Sequence, residues 1–404
     1  MRTLESTPAA DGFAMPAEWE PHDGCWLAWP QNGYVWRNGA RPAQRDIARL
    51  ANALADTGEQ VTVTVAGDQY PHARALLDGR VRVLEMSSWL AWARDAAPTF
   101  VVDAEGRRRG VDFPFNGYGG QYPSWVTDDR YASKVLDATR TERYRAPLVL
   151  EGGAFHVDGR GTCLVTAETL LDPARNPSPC RDEMTALLRD HLGVTKVIWL
   201  ERGLAYDATR GHVDNMACFA APGVVCLAWT DDERDPQYER SAAALEQLAG
   251  ETDAEGRPLR VEKLHVPGPL LVSDEEASGI DAVRPPGRSR PGGHPRGRAV
   301  GGGSGSGPDG TRGTGSGSGP ARLPASYCNF YVTADHLFAP LLDPDHDDQA
   351  MSVLSRVFPR HTVVGLPTRE LLLGGGNIHC ATQQIPSRIH HTDPTGPAAT
   401  PRRD

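Results

Sequence analysis

Four short stretches of this chain set an ionisable side chain at the end of an apolar run, beside glycine or a tight turn. They are Trp92-Ala93-Arg94-Asp95, Leu150-Glu151-Gly152-Gly153, Gly211-His212-Val213-Asp214-Asn215 and Gly374-Gly375-Gly376-Asn377-Ile378-His379-Cys380. Glycine lets backbone and ligand approach closely, and loops carried by a rigid scaffold are where binding groups concentrate. If the four stretches converge, they bring together a thiol (Cys380), an imidazole (His212) and three carboxylates (Asp95, Glu151, Asp214). These supply a nucleophile, a base and groups that orient a cation. Each residue also has a plainer reading. A buried thiol is a small apolar filler, Asp214 caps a turn, and Asp95 and Glu151 are ordinary ion-pair partners. Spacing alone leaves both readings open.

The wording His156-Val157-Asp158 repeats in His212-Val213-Asp214. This motivates a second reading, a metal-dependent hydrolase using those two histidines and two aspartates, since a catalytic zinc takes three protein ligands and a water. A third reading, from another class, is a binding protein without turnover that acts through a basic arm.

Short β-rich runs and amphipathic helical patterns alternate through the chain and must position these groups. The strand-like runs are Val61–Val65, Val81–Leu84, Thr99–Val102, Gly161–Thr166, Val197–Leu200, Gly223–Ala228 and Thr362–Gly365; helical spacing marks Ala43–Ala55, Arg181–Leu192 and Ser241–Ala249. The pattern predicts an α/β protein. An internal echo accompanies it. Gly152-Gly153-Ala154-Phe155-His156 reads against Gly375-Gly376-Asn377-Ile378-His379, as repeated supersecondary units around a centre would.

One segment breaks the texture. Residues 284–322 hold 14 glycines, 6 prolines and seven arginines against one aspartate, with no Leu, Ile, Met, Phe, Tyr or Trp. Such a stretch cannot offset its ordering entropy by apolar burial, so it reads as a disordered insert within one catalytic domain spanning 13–387; residues 388–404 read as a disordered tail. The 404-residue chain carries a formal charge of −10. That argues against a phosphate-backbone binder and favours a cationic small molecule. No apolar run is long enough to span a membrane, and the N-terminus lacks the apolar core of a secretory signal. Seven cysteines without a CxxC pair fit a reducing cytoplasm better than a disulfide framework.

The four chemical stretches, in this order, resemble those of the agmatine deiminase family, which includes the bacterial peptidylarginine deiminases. The likeness extends to Trp19-Glu20-Pro21-His22, Trp26-Leu27-Ala28-Trp29-Pro30, Phe115-Asn116-Gly117-Tyr118-Gly119-Gly120, Leu171-Asp172-Pro173-Ala174-Arg175-Asn176-Pro177 and Ser326-Tyr327-Cys328-Asn329-Phe330-Tyr331. It implies a five-bladed α/β propeller, the pentein fold, of pseudo-repeated ββαβ units. It also implies hydrolysis of the guanidinium of agmatine to N-carbamoylputrescine and ammonia, on the way to putrescine, with no metal or organic cofactor. By position Cys380 matches the nucleophile, His212 the general acid/base, Asp95 and Asp214 the carboxylates that grip the guanidinium, and Glu151 an assisting acid; Trp92, Asn329 and Gly375 match substrate-binding positions. A homodimer is the family expectation. Free or peptidyl arginine as substrate, or amidino transfer, stays an alternative. Leu90, Tyr118, Ala208 and Arg210 depart from the usual pattern, and Arg94 and Arg210 are the cations that would welcome an arginine carboxylate.

Overall fold

The structure, a computed structural model, describes residues 2–279 and 321–388. The stretch 284–322 expected as an insert therefore lies outside the described residues save for its last two, and the tail lies outside save for Arg388. Ala321 and Arg322 belong to the folded chain. The Ala321 carbonyl accepts from Val272 N, and the Arg322 guanidinium pairs with Asp235 at 2.7 Å. At the other end the fold begins ahead of residue 13: Thr3–Leu4 runs parallel to Arg143–Tyr144, and Asp11 pairs with Arg109.

Among the described residues, five separate mixed sheets share one construction. In each, a first strand runs antiparallel to a second, a helix follows, and a third strand lies parallel to the second. The strand triplets are Thr99–Val102, Arg108–Asp112, Arg143–Arg145; Phe155–Val157, Thr162–Thr166, Lys196–Leu200; Ala217–Ala221, Val224–Trp229, Arg260–His265; and Tyr331–Val332, His336–Leu341, Thr362–Pro367. The fifth triplet joins Thr382–Pro386, antiparallel, to His22–Ala28, which pairs with Val61–Val65 and so with Arg82–Glu85. The helices between second and third strands are Arg41–Asp56, Tyr131–Ala138, Arg181–Leu192, Pro236–Ala249 and Asp347–Val357. A parallel return of this kind needs a crossover, and an amphipathic helix is its usual form.

Local chemistry sets these elements. The hairpin turns after Val102 and Val157 are each held by one aspartate: Asp103 Oδ1 accepts from the amides of Glu105 and Arg107, and Asp158 Oδ1 from those of Arg160 and Thr162. Asx turns of this sort fix strand register without a long loop. The Arg41–Asp56 helix starts with Pro42 in its first turn and buries Ile47, Leu50, Ala51 and Leu54 on one face, against strands such as Val61–Val65 whose residues are all buried. Each fully buried Leu or Ile there contributes about 1.5–3 kcal/mol.

One regularity prepares the site. A single helical turn or short loop precedes the first strand of every sheet, and these turns carry Asp95, Glu151 with Gly153, Asp214, Asn329 and Cys380. The units do repeat, but not in the register of the echoed letters: His156 lies inside the strand Phe155–Val157, whereas His379 lies on the turn ahead of Thr382–Pro386.

Candidate functional site

A cleft of about 240 Å³ is lined by Trp92, Tyr118 and Tyr122, by Ala208, Thr209 and Gly374–Gly376, and by two reactive groups, Asp95 and Cys380. Of the expected substrate-binding residues, Trp92 and Gly375 line it. Gly375 has φ of 98°, a left-handed conformation that a side chain would strain.

Cys380 sits on the turn Ile378–Ala381, whose first amide is capped by the Asn377 side chain at 3.0 Å. Its thiol lies 3.4 Å from Asp214 Oδ2 and receives the Asn329 amide at 3.2 Å, while its own N–H donates to Asn329 Oδ1 at 3.2 Å. Asn329, expected to bind substrate, stands at the sulfur and is not among the residues that line the cleft. That backbone bond fixes which way its amide faces, so the NH2 points at Sγ and at Asn215 Oδ1, 3.0 Å away. Burial first, then the charges of Asp214 and Asp95, push the thiol well above its ordinary range. The free protein holds it protonated.

His212 is fully buried, with Nδ1 3.7 Å from Asp95 Oδ1 and Nε2 3.6 Å from Glu151 Oε2. Neither ring nitrogen has a hydrogen-bond partner among the described residues; each faces a carboxylate at ion-pair distance. Burial alone would lower its pKa; Asp95, Glu151 and Asp214 outweigh that and lift it to about 9. Asp95 accepts from Tyr118 Oη at 2.7 Å and Gly153 N at 3.0 Å, and burial pushes its carboxyl up. Glu151 receives Arg175 Nε on both oxygens at 3.0 Å; this guanidinium overcomes burial and holds the carboxyl down at about 2.

Asp214 accepts from the thiol and from His379 Nδ1, at 2.9 Å, on the same oxygen, Oδ2. Its Oδ1 is buried and has no partner. His379 Nε2 meets Glu18 at 2.9 and 3.0 Å, and Glu18 also takes Arg94 at 3.1 Å. The carboxylates Glu18, Asp95, Glu151 and Asp214 thus face Arg94, Arg175, His379 and a protonated His212. That set is balanced until a cation enters.

All five expected catalytic residues therefore meet around one point. The metal reading fares otherwise. Asp158 holds its hairpin turn through Oδ1 and does not group with His212 and Asp214 among the described residues. Among the described residues one group has metal-ligand spacing, Glu18, His156 and His379, within 4.8 Å. The Phe219 amide donates to His156 Nδ1 at 3.2 Å. The proton of a neutral His156 is therefore on Nε2, which faces Glu18 at 3.6 Å. With Arg94 and His379 on the same carboxylate, the cluster is a nest of donors and does not suit a cation.

The sequence reading missed Glu18, Arg175 and His379, though all three lie within or beside motifs it quoted. The departures are also located: Tyr118 holds Asp95, Ala208 lines the cleft, Leu90 is buried, and Arg210 pairs with Asp172 at 3.0 Å.

Comparison with known proteins places this arrangement. The chain matches the family described as Porphyromonas-type peptidyl-arginine deiminase over residues 14–386. It is 47% identical over 393 residues to an agmatine deiminase of Pseudomonas aeruginosa (strain LESB58), covering 96% of this chain and 99% of that one. The solved agmatine deiminase of Enterococcus faecalis aligns with a TM-score of 0.84 at 36% identity, over 96% of this chain and 100% of that one. A substrate-bound agmatine deiminase of C. jejuni, 20% identical with a TM-score of 0.75, covers 93% of this chain and 96% of its own and shares the fold.

Proposed function

The chain belongs to the Porphyromonas-type peptidyl-arginine deiminase family, and from that membership we propose that it hydrolyses the guanidinium of agmatine to N-carbamoylputrescine and ammonia, a step toward putrescine. The observation that carries the reading is the cleft itself. A thiol and a carboxylate, Cys380 and Asp95, line it, with Asp214 against the thiol and the His212 imidazole and Glu151 packed behind Asp95, and no Lys or Arg among the described residues lines it. Arginine's α-carboxylate would find no partner there: Arg94 is buried against Glu18 and Arg210 is engaged by Asp172. Agmatine carries no such carboxylate.

The guanidinium is a planar cation whose donors match carboxylates in a fixed fork. Asp95 and Asp214 grip it and leave its carbon open to Cys380. Its charge compensates the thiolate, so binding draws the thiol proton off to solvent. The thiolate attacks the carbon to give a neutral tetrahedral adduct. His212, protonated in the free protein, gives its proton to one NH2 group; the C–N bond breaks, ammonia leaves, and an S-alkylthiouronium cation stays on Cys380. Neutral His212 then takes a proton from water as the oxygen attacks the same carbon. Collapse expels the thiolate, which recovers a proton, and releases the ureido product. Glu151, locked by Arg175, keeps His212 basic enough for both tasks.

The five ββαβ units are, in this reading, blades of a five-bladed propeller forming one domain that begins ahead of residue 13 and runs to 387, with the Gly/Arg-rich stretch, which ends before Ala321, inserted between the third and fourth triplets given above. The matching strand orders and the equivalent placement of the site residues support this. A reducing cytoplasm suits seven unpaired thiols; no helix among the described residues is long and apolar enough to cross a membrane.

The test is turnover with agmatine, free arginine and an arginyl peptide, reading ammonia and the ureido product by mass spectrometry. Agmatine should exceed arginine by on the order of a hundredfold in kcat/KM, because a tail carboxylate would enter a site rich in like charge. Equal use of arginine, or faster turnover of the peptide, replaces agmatine with those substrates.

A further inference from the structure

His379 stands directly before Cys380 on the same helical turn, buried between two carboxylates. Nδ1 is 2.9 Å from Asp214 Oδ2, and Nε2 lies 2.9 and 3.0 Å from the two oxygens of Glu18. An ionised carboxylate only accepts hydrogen bonds. Both ring nitrogens must then carry protons, and the ring is an imidazolium. Its surroundings agree. Burial and Arg94 work against the charge, but Glu18 and Asp214 outweigh them and raise the His379 pKa. Despite burial, Arg94, His379 and His156 hold Glu18 well below the carboxylate range.

Asp214 is the other end of this clamp. The groups facing it are His379 and Cys380 from the last turn, His212 from its own loop, Asp207 from the loop before it, and Asp95 across the site. Burial would raise its carboxyl; the bond and charge of His379, then His212, bring it below the ordinary value. With Oδ2 held by His379 and the thiol, the unpartnered Oδ1 is the oxygen left for a guanidinium N–H.

We propose that His379 is a positioning residue for this reaction: clamped as a permanent cation between Glu18 and Asp214, it turns Asp214 so that Oδ1 meets the guanidinium while Oδ2 stays on Cys380. The proposal rests on the guanidinium-hydrolase reading above. It gives His379 no contact with substrate and no proton transfer; its charge and its two bonds set the carboxylate that does the binding.

The test uses the full chain carrying His379→Gln, which offers one hydrogen bond and no charge, and Glu18→Gln, which loosens the clamp from its far side. Steady-state kinetics on agmatine from pH 5 to 10 should show, for His379→Gln, a KM at least tenfold higher at pH 7. The acidic limb of kcat/KM should move to higher pH as Asp214 loses its cation. Glu18→Gln should move KM and limb in the same directions by less, which keeps the idea testable if His379→Gln gives no cooperative melt. A second arm needs no turnover: methylguanidine should protect Cys380 from iodoacetamide, with the half-protecting concentration rising at least tenfold in His379→Gln. Wild-type protection with no turnover of agmatine would fault the substrate and leave the His379 proposal standing. No protection in wild type would overturn both. A folded His379→Gln that loses kcat but keeps the wild-type KM, acidic limb and protection constant has only a structural histidine, and the proposal fails.

Discussion

Gly153 and His212 stand so close that a β-carbon built on the glycine would lie 2.6 Å from the imidazole Nδ1. The same carbon would be 2.9 Å from Asp214 Oδ2 and 3.0 Å from Asp95 Oδ1. The imidazole and two carboxylates converge through the room left by one missing methyl group.

Gly153→Ala should therefore damage activity by at least as much free energy as it costs in stability. Groups displaced by about 1 Å cost on the order of a hundredfold in rate, whereas overpacking costs about 1–3 kcal/mol. Kinetics beside a denaturation midpoint will separate the two. Near-normal kcat/KM in the variant would show that the site does not depend on this approach.

Cys380→Ser should abolish turnover and leave the melt unchanged, since the hydroxyl fits the thiol's place but is a much weaker nucleophile. A residual rate within tenfold of wild type would correspond to only ~1.4 kcal/mol of barrier, too little for a missing nucleophile.

His212 must be protonated to expel ammonia, so kcat/KM should fall as pH rises past about 9. Glu151→Gln removes one of the carboxylates that raise His212, and the alkaline limb should shift to lower pH; an unmoved limb would dissociate Glu151 from His212. Stability follows the same signs. The contribution of His212 is complete below its ordinary 6.5 and is lost as pH rises to about 9. That of Glu151 is present above 4.5 and is lost as pH falls to about 2. Melting temperature against pH should fall in both windows.

Asn329→Ala deletes a donor to Sγ and leaves Asn215 Oδ1 without that partner. We expect a loss of about ten- to a hundredfold in kcat/KM, from about 1–3 kcal/mol of lost polar interaction, with slower alkylation of Cys380 at any given pH. If kcat/KM drops but alkylation is unaffected, the asparagine serves substrate and not sulfur.

The strands Val61–Val65 and Thr99–Val102 and the helix Arg181–Leu192 stand where the sequence pattern puts them, because each is a short run whose periodicity is undisturbed by function. The chemical residues stand out for a different reason: glycine lies in the stretches that carry Glu151, His212, Asp214 and Cys380, though not in that of Asp95, and the family resemblance singles out the set. Partnership across the site was not. Glu18 and His379 are 361 residues apart, and nothing local in either stretch announces the other. Arg175 sits in a proline-flanked loop whose letters do not reveal that its guanidinium is buried on Glu151. For Asn329 the resemblance implies a substrate contact, and nothing in its stretch announces that its amide also stands against Cys380 Sγ. Thr3–Leu4 pairs in a sheet, yet two residues are too few for any pattern.

The long span between Glu18 and His379 also governs how such a chain is made. The nucleophile is the last of the site residues to leave the ribosome, and the strand Thr382–Pro386 that anchors it pairs with His22–Ala28, among the first. Until that pairing forms, Glu18 lacks His379 and keeps only Arg94 and His156, and Asp214 lacks both the thiol and the His379 imidazolium. Buried charges stripped of their partners are strongly destabilising. A prematurely terminated product is thus not a weakened enzyme but an unfinished fold, which cellular proteolysis removes. Translation to the final sheet and acquisition of reactivity become one event.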